Sequence, residues 1–356
     1  MKTRVGLLFG GKSIAHNDSI DTAFRVMKEL VNESFDLVPI YLSKDNVFYW
    51  DASFAKREIF DDIDTILPNL TPINIVKDKQ CFSLNMKTNY FLNRKVDTID
   101  IALLCIHDLS GEEVALQGYL EMLGLPYGGG LISGTAIGQD RVFSRQILGA
   151  NSIEVVPWLW EYNERVAFDM VGFVSQIKKL GYPVMVQPAK VGMSSKSRNV
   201  FNAKEAVMAI EQLLKHTEKV VVDKQMAKYQ EFSCAYLGNR NYEKTSAIAK
   251  YSEENLLEDG AILKEEVNKR RCEVIDVSKE LQEELHILTI KICRLLDLQG
   301  VVKIDYYVSN DEKKILVKEI DTFPVCFACE MFEAKGISLK EVIRVLLQNA
   351  ILLENK

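Results

Sequence analysis

Apolar residues fall in short runs divided by polar, glycine-containing turns. The first run, Arg4 to Phe9, stops at Gly10-Gly11-Lys12-Ser13, and from Ser19 to Leu30 apolar residues recur at helical spacing. That order predicts a buried strand, a turn and a helix. Residues 37–42 read as the next strand. Residues 99–106 form a continuous apolar run, the pattern of a strand covered on both faces. A helix over 112–123 is closed by Gly124-Leu125-Pro126. Together these predict an open α/β domain whose loops gather at the carboxyl ends of its strands. Between 48 and 93 the pattern is irregular and assigns no elements. Gly128-Gly129-Gly130 reads as a hinge before a single helix over 133–150, a helix C-cap being the other reading. Further on, strands are predicted to start at 155–158 and to cover 183–187, 220–224 and 231–237. Helices are predicted over 172–180, 203–214, 279–296 and 337–353, and a charged, mobile surface loop over 253–275.

The alternation over 299–322 carries the most chemistry. Val301 to Val308 and Ile315 to Thr322 flank Asn310-Asp311-Glu312-Lys313, a turn sequence, and so predict a β-hairpin. Side chains alternate along a strand, which puts Lys303 with Asp305 on one face and Glu319 with Asp321 on one face of the returning strand. Residues two apart are roughly 6.5–7 Å apart along a strand, a separation at which paired carboxylates can grip a hard cation and a phosphate chain. Spacing alone slightly favours the plainer reading, a solvated face with ordinary charge pairs.

Composition narrows the classes. A chain of 356 residues with 47% hydrophobic content has room for two or three cored domains. The net charge of -6 argues against nucleic-acid binding by bulk electrostatics, while leaving room for a local phosphate pocket. No run has the length of a membrane span. Seven scattered cysteines fit reduced thiols in a cytoplasmic protein. Cys326 and Cys329 make one CxxC, but the four histidines are dispersed and supply no second half of a zinc site.

Several longer segments then coincide. GYPVMVQPAKVG, VVVDKQMAKYQEFSCAYLGN, GVVKIDYY and LVKEIDTFP, in that order and spacing, resemble the ATP-grasp core of the D-alanine:D-alanine ligase family. LLFGGKS, HDLSGEEVALQGYLEMLGLPYGG and AIGQDRVFSRQIL resemble segments of its first domain and the helix that follows, so the likeness spans nearly the whole chain. It implies an N-terminal α/β domain over 1–127, a central ATP-grasp subdomain over 128–219 and an α+β metal-binding ATP-grasp domain over 220–356. It further implies a cytoplasmic ligase of peptidoglycan (cell wall) synthesis, dimeric through its first domain, that joins two amino acids with ATP and Mg2+. In that chemistry a carboxylate attacks the γ-phosphate, and a second amine displaces phosphate from the acyl phosphate.

The resemblance also assigns residues. Asp305, Glu319 and Asp321 stand at the metal positions, Asp321 replacing the family's usual Asn. Asp223 and Lys224 fall where a Glu-Lys pair caps the adenine, and Glu231 falls at the ribose. Arg141 and Gln187 occupy the two phosphate-lysine positions, and Gly192 and Ser194 belong to the phosphate loop, with Met193 where a serine is expected. Lys250 and Tyr251 match the lid segment, His107 a histidine near the first amino acid, and Lys303 the arginine of the oxyanion site. Asn17 replaces a Glu that pairs with the substrate amine, and Val325 replaces a glycine beside the second amino acid. A lone cation exchanged for Gln187 removes charge from the phosphate site, a change that commonly costs about 10² to 10³ in rate. Two readings follow: a ligase with altered substrate choice or reduced rate, or a catalytically impaired paralogue that binds a nucleotide or a partner. Three acids held together against their own repulsion favour the ligase.

Overall fold

In the computed structural model of the chain, residues 2–13, 15–31, 35–79, 81–89, 92–107, 112–191, 197–239, 241–251 and 272–354 are described. The mixed α/β architecture has four sheets. Strand β1 (Thr3–Gly10) leads into α1 (His16–Glu29), and β2 (Phe35–Leu42) returns parallel to β1. β3 (Phe48–Tyr49) and a one-turn helix α2 (Ile63–Ile66) follow.

The stretch that lacked any pattern is a three-stranded antiparallel sheet of β4 (Ile73–Asp78), β5 (Cys81–Asn89) and β6 (Leu92–Ile99). Its one buried face, with Ile73, Ile75, Phe82 and Leu84, packs on β1 and β2 through Leu8, Val38 and Ile40. The apolar run over 99–106 is accordingly not one strand. It breaks at Asp100, whose carboxylate accepts from the Arg4 backbone N–H at 2.8 Å, and resumes as β7 (Ile101–Leu104) beside β1. After α3 (Glu112–Leu123), β8 (Tyr127–Gly128) completes the first sheet in the order β3-β2-β1-β7-β8.

The three glycines are close-packed rather than a free hinge. A Cβ on Gly130 would lie 2.8 Å from Thr135 Oγ1 and 3.1 Å from the Gln299 carbonyl. One on Gly300, at φ +81°, would lie 2.8 Å from the Gly129 backbone. Two backbones cross here at a distance only glycine permits.

The expected helix over 133–150 is two helices, α4 (Ile132–Gln139) and α5 (Arg141–Ala150). Asp140 leaves helical geometry and caps α5 by accepting from the Val142 N–H at 2.9 Å. The second sheet has the order β11-β10-β12-β9, from β9 (Trp158–Tyr162), β10 (Val184–Pro188), β11 (Arg198–Val200) and β12 (Lys219–Lys224). Helices α6 (Asn163–Phe168), α7 (Met170–Leu180) and α8 (Ala203–Leu213) enclose its core of Val166, Phe173, Ile177, Val184, Ile210 and Val222. Since β12 pairs on both sides within this sheet, a boundary at 219/220 would cut it away from β10 and β9.

The third sheet carries the acidic hairpin. It comprises β13 (Tyr229–Asn239), β14 (Tyr242–Thr245), β15 (Ala249–Tyr251), β16 (Cys272–Val274), β17 (Gly300–Ser309) and β18 (Ile315–Asp321). Helix α9 (Lys279–Leu295) covers one face, burying Leu281, Leu285 and Ile292 against Val302 and Ile304. After α10 (Cys329–Glu333), α11 (Leu339–Glu354) runs back onto the first sheet, where Ile343, Leu346 and Leu347 join Val5, Leu7 and Leu103 in one core. First and third sheets therefore share a core. Among the described residues no helix is long and apolar enough to cross a membrane.

Candidate active site

Helix α5 sets the geometry between the second and third sheets. Its start is tied to the end of β10, the Arg141 N–H donating to the Ala189 carbonyl at 2.9 Å. Arg141 and Arg145 are four apart and so project from one face. The Arg141 side chain is 2% exposed; one terminal nitrogen donates to the Pro188 and Lys190 carbonyls at 2.9 Å each, and the other donates to Glu319 Oε1 at 2.6 Å. Arg145 grips Asp223 with both terminal nitrogens, one of them 2.8 Å from Oδ2, and that nitrogen also donates to the Lys318 carbonyl at 2.9 Å. Its guanidinium carbon lies 5.4 Å from the Trp158 ring centroid, in the range of a cation–π contact. One helix thereby fastens β10 and β12 to β18.

The hairpin brings the acids together through a one-residue shift of register, without which Asp305 would lie opposite Lys318. Asp305 lies opposite Glu319, and Lys303 opposite Asp321. Ser233 on β13 donates to Asp305 Oδ1 at 2.5 Å, and Lys303 Nζ is 3.3 Å from the same carboxylate. Burial raises the Asp321 pKa to about 6; Lys303 opposes the rise, whereas Asp305 and Glu319 add to it. The three carboxylates sense one another's charge. Among the described residues no three acidic, histidine or cysteine side chains stand in ligand geometry around one point. Arg141 and Lys303 hold two of the acids instead. The donors are nonetheless all carboxylate oxygens on facing positions of one hairpin, a set suited in kind to a hard divalent cation.

Lys318 was not foreseen. The register shifts between Asp305 and Tyr306, whose partners are Glu319 and Val317, so Lys318 is the extra residue of a β-bulge. The bulge puts its ammonium 2.5 Å from Glu231 and 5.1 Å from the Tyr307 ring centroid. Burial opposes the charge on Lys318, but Glu231, Tyr307 and Asp305 outweigh it and raise its pKa. Strand alternation alone gives no sign of the bulge.

The nucleotide residues meet different fates. Asp223 does not present a free carboxylate to a base, because Arg145 and the Gln187 amide both donate to it. Gln187 is thus placed by Asp223. Lys224 directs its ammonium to the Gly181 carbonyl at 2.6 Å and the Tyr182 carbonyl at 3.4 Å, securing the turn before β10. Glu231 faces Lys318, and Lys250 donates to the Gln230 amide oxygen at 3.2 Å. Gly192, Met193 and Ser194 lie outside the described residues, as do the Tyr251 side chain and most of the predicted loop over 253–275. Asn17 is exposed in the first turn of α1.

His107, at the end of β7, is buried and bridges three segments. Its Nδ1 lies 3.2 Å from the Phe323 carbonyl, an acceptor only, so Nδ1 carries the proton and Nε2 accepts from the Thr22 hydroxyl at 2.7 Å. Burial pushes the imidazole down to about 4, the Phe323 carbonyl offsetting this only in part. An unfolded chain protonates this ring near 6.5, the folded chain near 4. His107 therefore withdraws stability as pH falls through that window and has no further effect below it, a loss of about 3 kcal/mol. Urea unfolding from pH 7 to pH 4 should show a shallower decline in His107→Asn than in the unaltered protein. Parallel curves would mean that the fold takes up the His107 proton as readily as the unfolded chain does.

Beyond Pro324 the chain makes an unusual turn. Val325 is 53% exposed, and Cys326, Phe327 and Ala328 all have positive φ, at 50°, 54° and 51°. Non-glycine residues in that region cost about 1–2 kcal/mol each. The Cys326 N–H donates to Thr22 Oγ1 at 3.3 Å, joining the turn to the His107 network.

Two sheets fastened by one helix, with paired cations and carboxylates between them and the acids on one hairpin, define a class: the ATP-dependent carboxylate–amine ligases of ATP-grasp fold. Two family profiles match this chain, "D-ala D-ala ligase N-terminus" over residues 4–130 and "D-ala D-ala ligase C-terminus" over 147–348. The chain belongs to the D-alanine:D-alanine ligase family. It is 27% identical over 348 residues to a D-alanine--D-alanine ligase of Thermosipho melanesiensis, covering 95% of this chain and 91% of that one. Among solved structures it is similar to a D-alanine-D-alanine ligase from Coxiella burnetii, with a TM-score of 0.79 at 21% identity over 99% of this chain and 95% of that one. A D-Ala:D-Ser ligase from Enterococcus faecalis also has a TM-score of 0.79, at 19% identity over 98% of this chain and all (100%) of that one.

Proposed function

We propose that this protein joins two amino acids in an ATP- and magnesium-dependent reaction through an acyl phosphate, with an amino-acid choice or a rate that departs from D-alanyl-D-alanine synthesis. The observation that carries this reading is the facing pair Asp305 and Glu319 on the hairpin, with Arg141 of α5 set against Glu319. Asp305, Glu319 and Asp321 would hold magnesium, which when bound supplies charge neutralisation on the phosphates. To receive it, Glu319 turns from Arg141 and Asp305 from Lys303, and both cations then face the negative charge of the nucleotide and the reacting carboxyl group. Arg141 provides a fixed planar donor pair, and Lys303 a compact one for the oxyanion of the tetrahedral intermediate. Glu231, released from Lys318, would bind the ribose. Gln187 donates hydrogen bonds without neutralising charge, which supports a lowered rate. Asn17 and Val325, in place of a carboxylate and a glycine, support altered amino-acid selection.

We further infer a homodimeric cytoplasmic enzyme divided near residues 128 and 225, the latter placing all of β12 in the central subdomain. Calorimetric titration with a non-hydrolysable ATP analogue and magnesium tests the reading, followed by phosphate release across D- and L-amino acids. Binding with a Kd of about 1 μM to 1 mM is expected, with release that needs both magnesium and an amino acid. Failure to bind at millimolar nucleotide would sink the ligase reading.

A further inference from the structure

The turn after Pro324 holds two thiols that the ligation chemistry does not use. Cys329 Sγ and Cys326 Sγ are 3.1 Å apart, inside ordinary sulfur–sulfur contact, and no disulfide joins them. Cys326 is half-buried, whereas Cys329 is buried. The residues between them, with Cys326 itself, form the left-handed turn, so the backbone is bent in a way that brings the two side chains together. The same turn is bonded to α1, through the Cys326 N–H to Thr22, and Thr22 in turn to His107.

We propose that Cys326 and Cys329 form a peroxide-sensitive dithiol whose closure to a disulfide shifts the turn and, through Thr22, the hydrogen bonding of His107. The Cys329 thiolate attacks a hydroperoxide, taking one oxygen to become a sulfenic acid while the peroxide O–O bond breaks and hydroxide or alkoxide leaves. Cys326 then attacks that sulfur, forming the S–S bond and releasing water. Overall two thiols lose two protons and two electrons to one peroxide, which is reduced to water or an alcohol and water. Closing the sulfurs from 3.1 Å to bonding distance draws in both ends of the turn. Because the Cys326 N–H lies between Cys326 Sγ and Thr22, that movement falls on the Thr22 contact.

The surroundings favour this pair over the buried Cys105, Cys234 and Cys293. Cys329 is held below the ordinary thiol range, because the Cys326 S–H donates to its sulfur and the Arg25 guanidinium lies near, with burial opposing in part; Cys326 is raised in return. Burial alone pushes the Cys105 thiol up and is the largest cause of the rise at Cys234 and Cys293, which leaves those thiols unreactive. In His107 the reporter is built in: its ring has one partner on the turn's side and one on Phe323, so a changed Thr22 contact alters its NMR signals.

The consequence for catalysis rests on the ligase reading, but the test does not. Full-length protein is treated with hydrogen peroxide, its thiols are counted, its peptides are mapped by mass, and the His107 imidazole is followed by nitrogen NMR. Expected is the loss of two thiols, a Cys326–Cys329 link, and a shift of the His107 signals that dithiothreitol reverses. Cys326→Ser should instead trap a dimedone-reactive sulfenic acid at Cys329 with no link, and Cys329→Ser should keep its Cys326 thiol. Untouched thiols, a link to any other cysteine, over-oxidation of Cys329 without a link, or a disulfide that leaves the His107 signals in place would each overturn the proposal. Should Cys329→Ser fail to fold, peptide mapping of the unaltered chain and Cys326→Ser still decide it. A protein that forms the link and moves His107 but ligates no amino acids would refute the ligase reading alone.

Discussion

Glu319→Gln is expected to lower amino-acid-dependent phosphate release by about 10²- to 10³-fold and to raise the magnesium concentration needed for half-maximal rate. The replacement keeps the shape of the side chain and removes one charge, so it isolates the electrostatic role. Glu319 faces Asp305 across the hairpin and holds an Arg141 side chain that is only 2% exposed. Losing the carboxylate removes a hard oxygen ligand from the proposed metal site. It also leaves a buried guanidinium with no counter-charge here, a loss of about 1–3 kcal/mol in stability. Comparing thermal unfolding with and without magnesium separates the two effects. A rate and a magnesium dependence that both match the unaltered protein would remove Glu319 from the metal site.

Asp223→Leu is expected to destabilise the fold by about 3–5 kcal/mol, whereas Arg145→Met combined with Asp223→Leu should recover most of that loss. Arg145 and Asp223 have side-chain exposures of 4% and 12%, and the single change leaves a buried guanidinium beside the Gln187 amide, which loses its acceptor as well. Removing both charges removes the desolvation penalty with them. Denaturant unfolding of the two singles and the double gives the coupling directly. Additive losses would mean that the pair does not interact in solution and that Asp223 is free to accept from a nucleotide base. The same cycle repeated with a bound ATP analogue reads whether the nucleotide displaces Arg145, since the coupling should fall if it does.

Much of this was visible along the chain because it depends on local period. The β1–turn–α1 unit, the helices over 112–123 and 279–295, and the hairpin with its paired acids all follow from apolar spacing and turn residues. Lys303 opposite Asp321 and Asp305 opposite Glu319 required more than two alternating strands pairing back on each other: the one-residue bulge at Lys318 sets both, and alternation does not reveal it. Other expectations failed where a single polar residue interrupts a pattern. Asp140 breaks one predicted helix into two by capping the second, and Asp100 ends a predicted strand by accepting from the Arg4 N–H. The β4–β6 sheet was missed because only one of its faces is buried, and its alternation is diluted by charged residues on the other. The three glycines before α4 were read as freedom, whereas the neighbouring backbone at Gln299 and Gly300 makes them a requirement of contact.

By itself the sequence determined many of the elements, that acids share one hairpin, and the family to which the chain belongs, because each of these rests on residue type at near-constant spacing. Only the tertiary structure decided which charge meets which. Arg145 and Asp223 are 78 residues apart, Arg141 and Glu319 178, and Glu231 meets Lys318 only because a bulge turns that lysine inward. Such pairings depend on where the second and third sheets come to rest against α5. A charge's partner is set by distance in space, and between sheets local spacing holds no information about it.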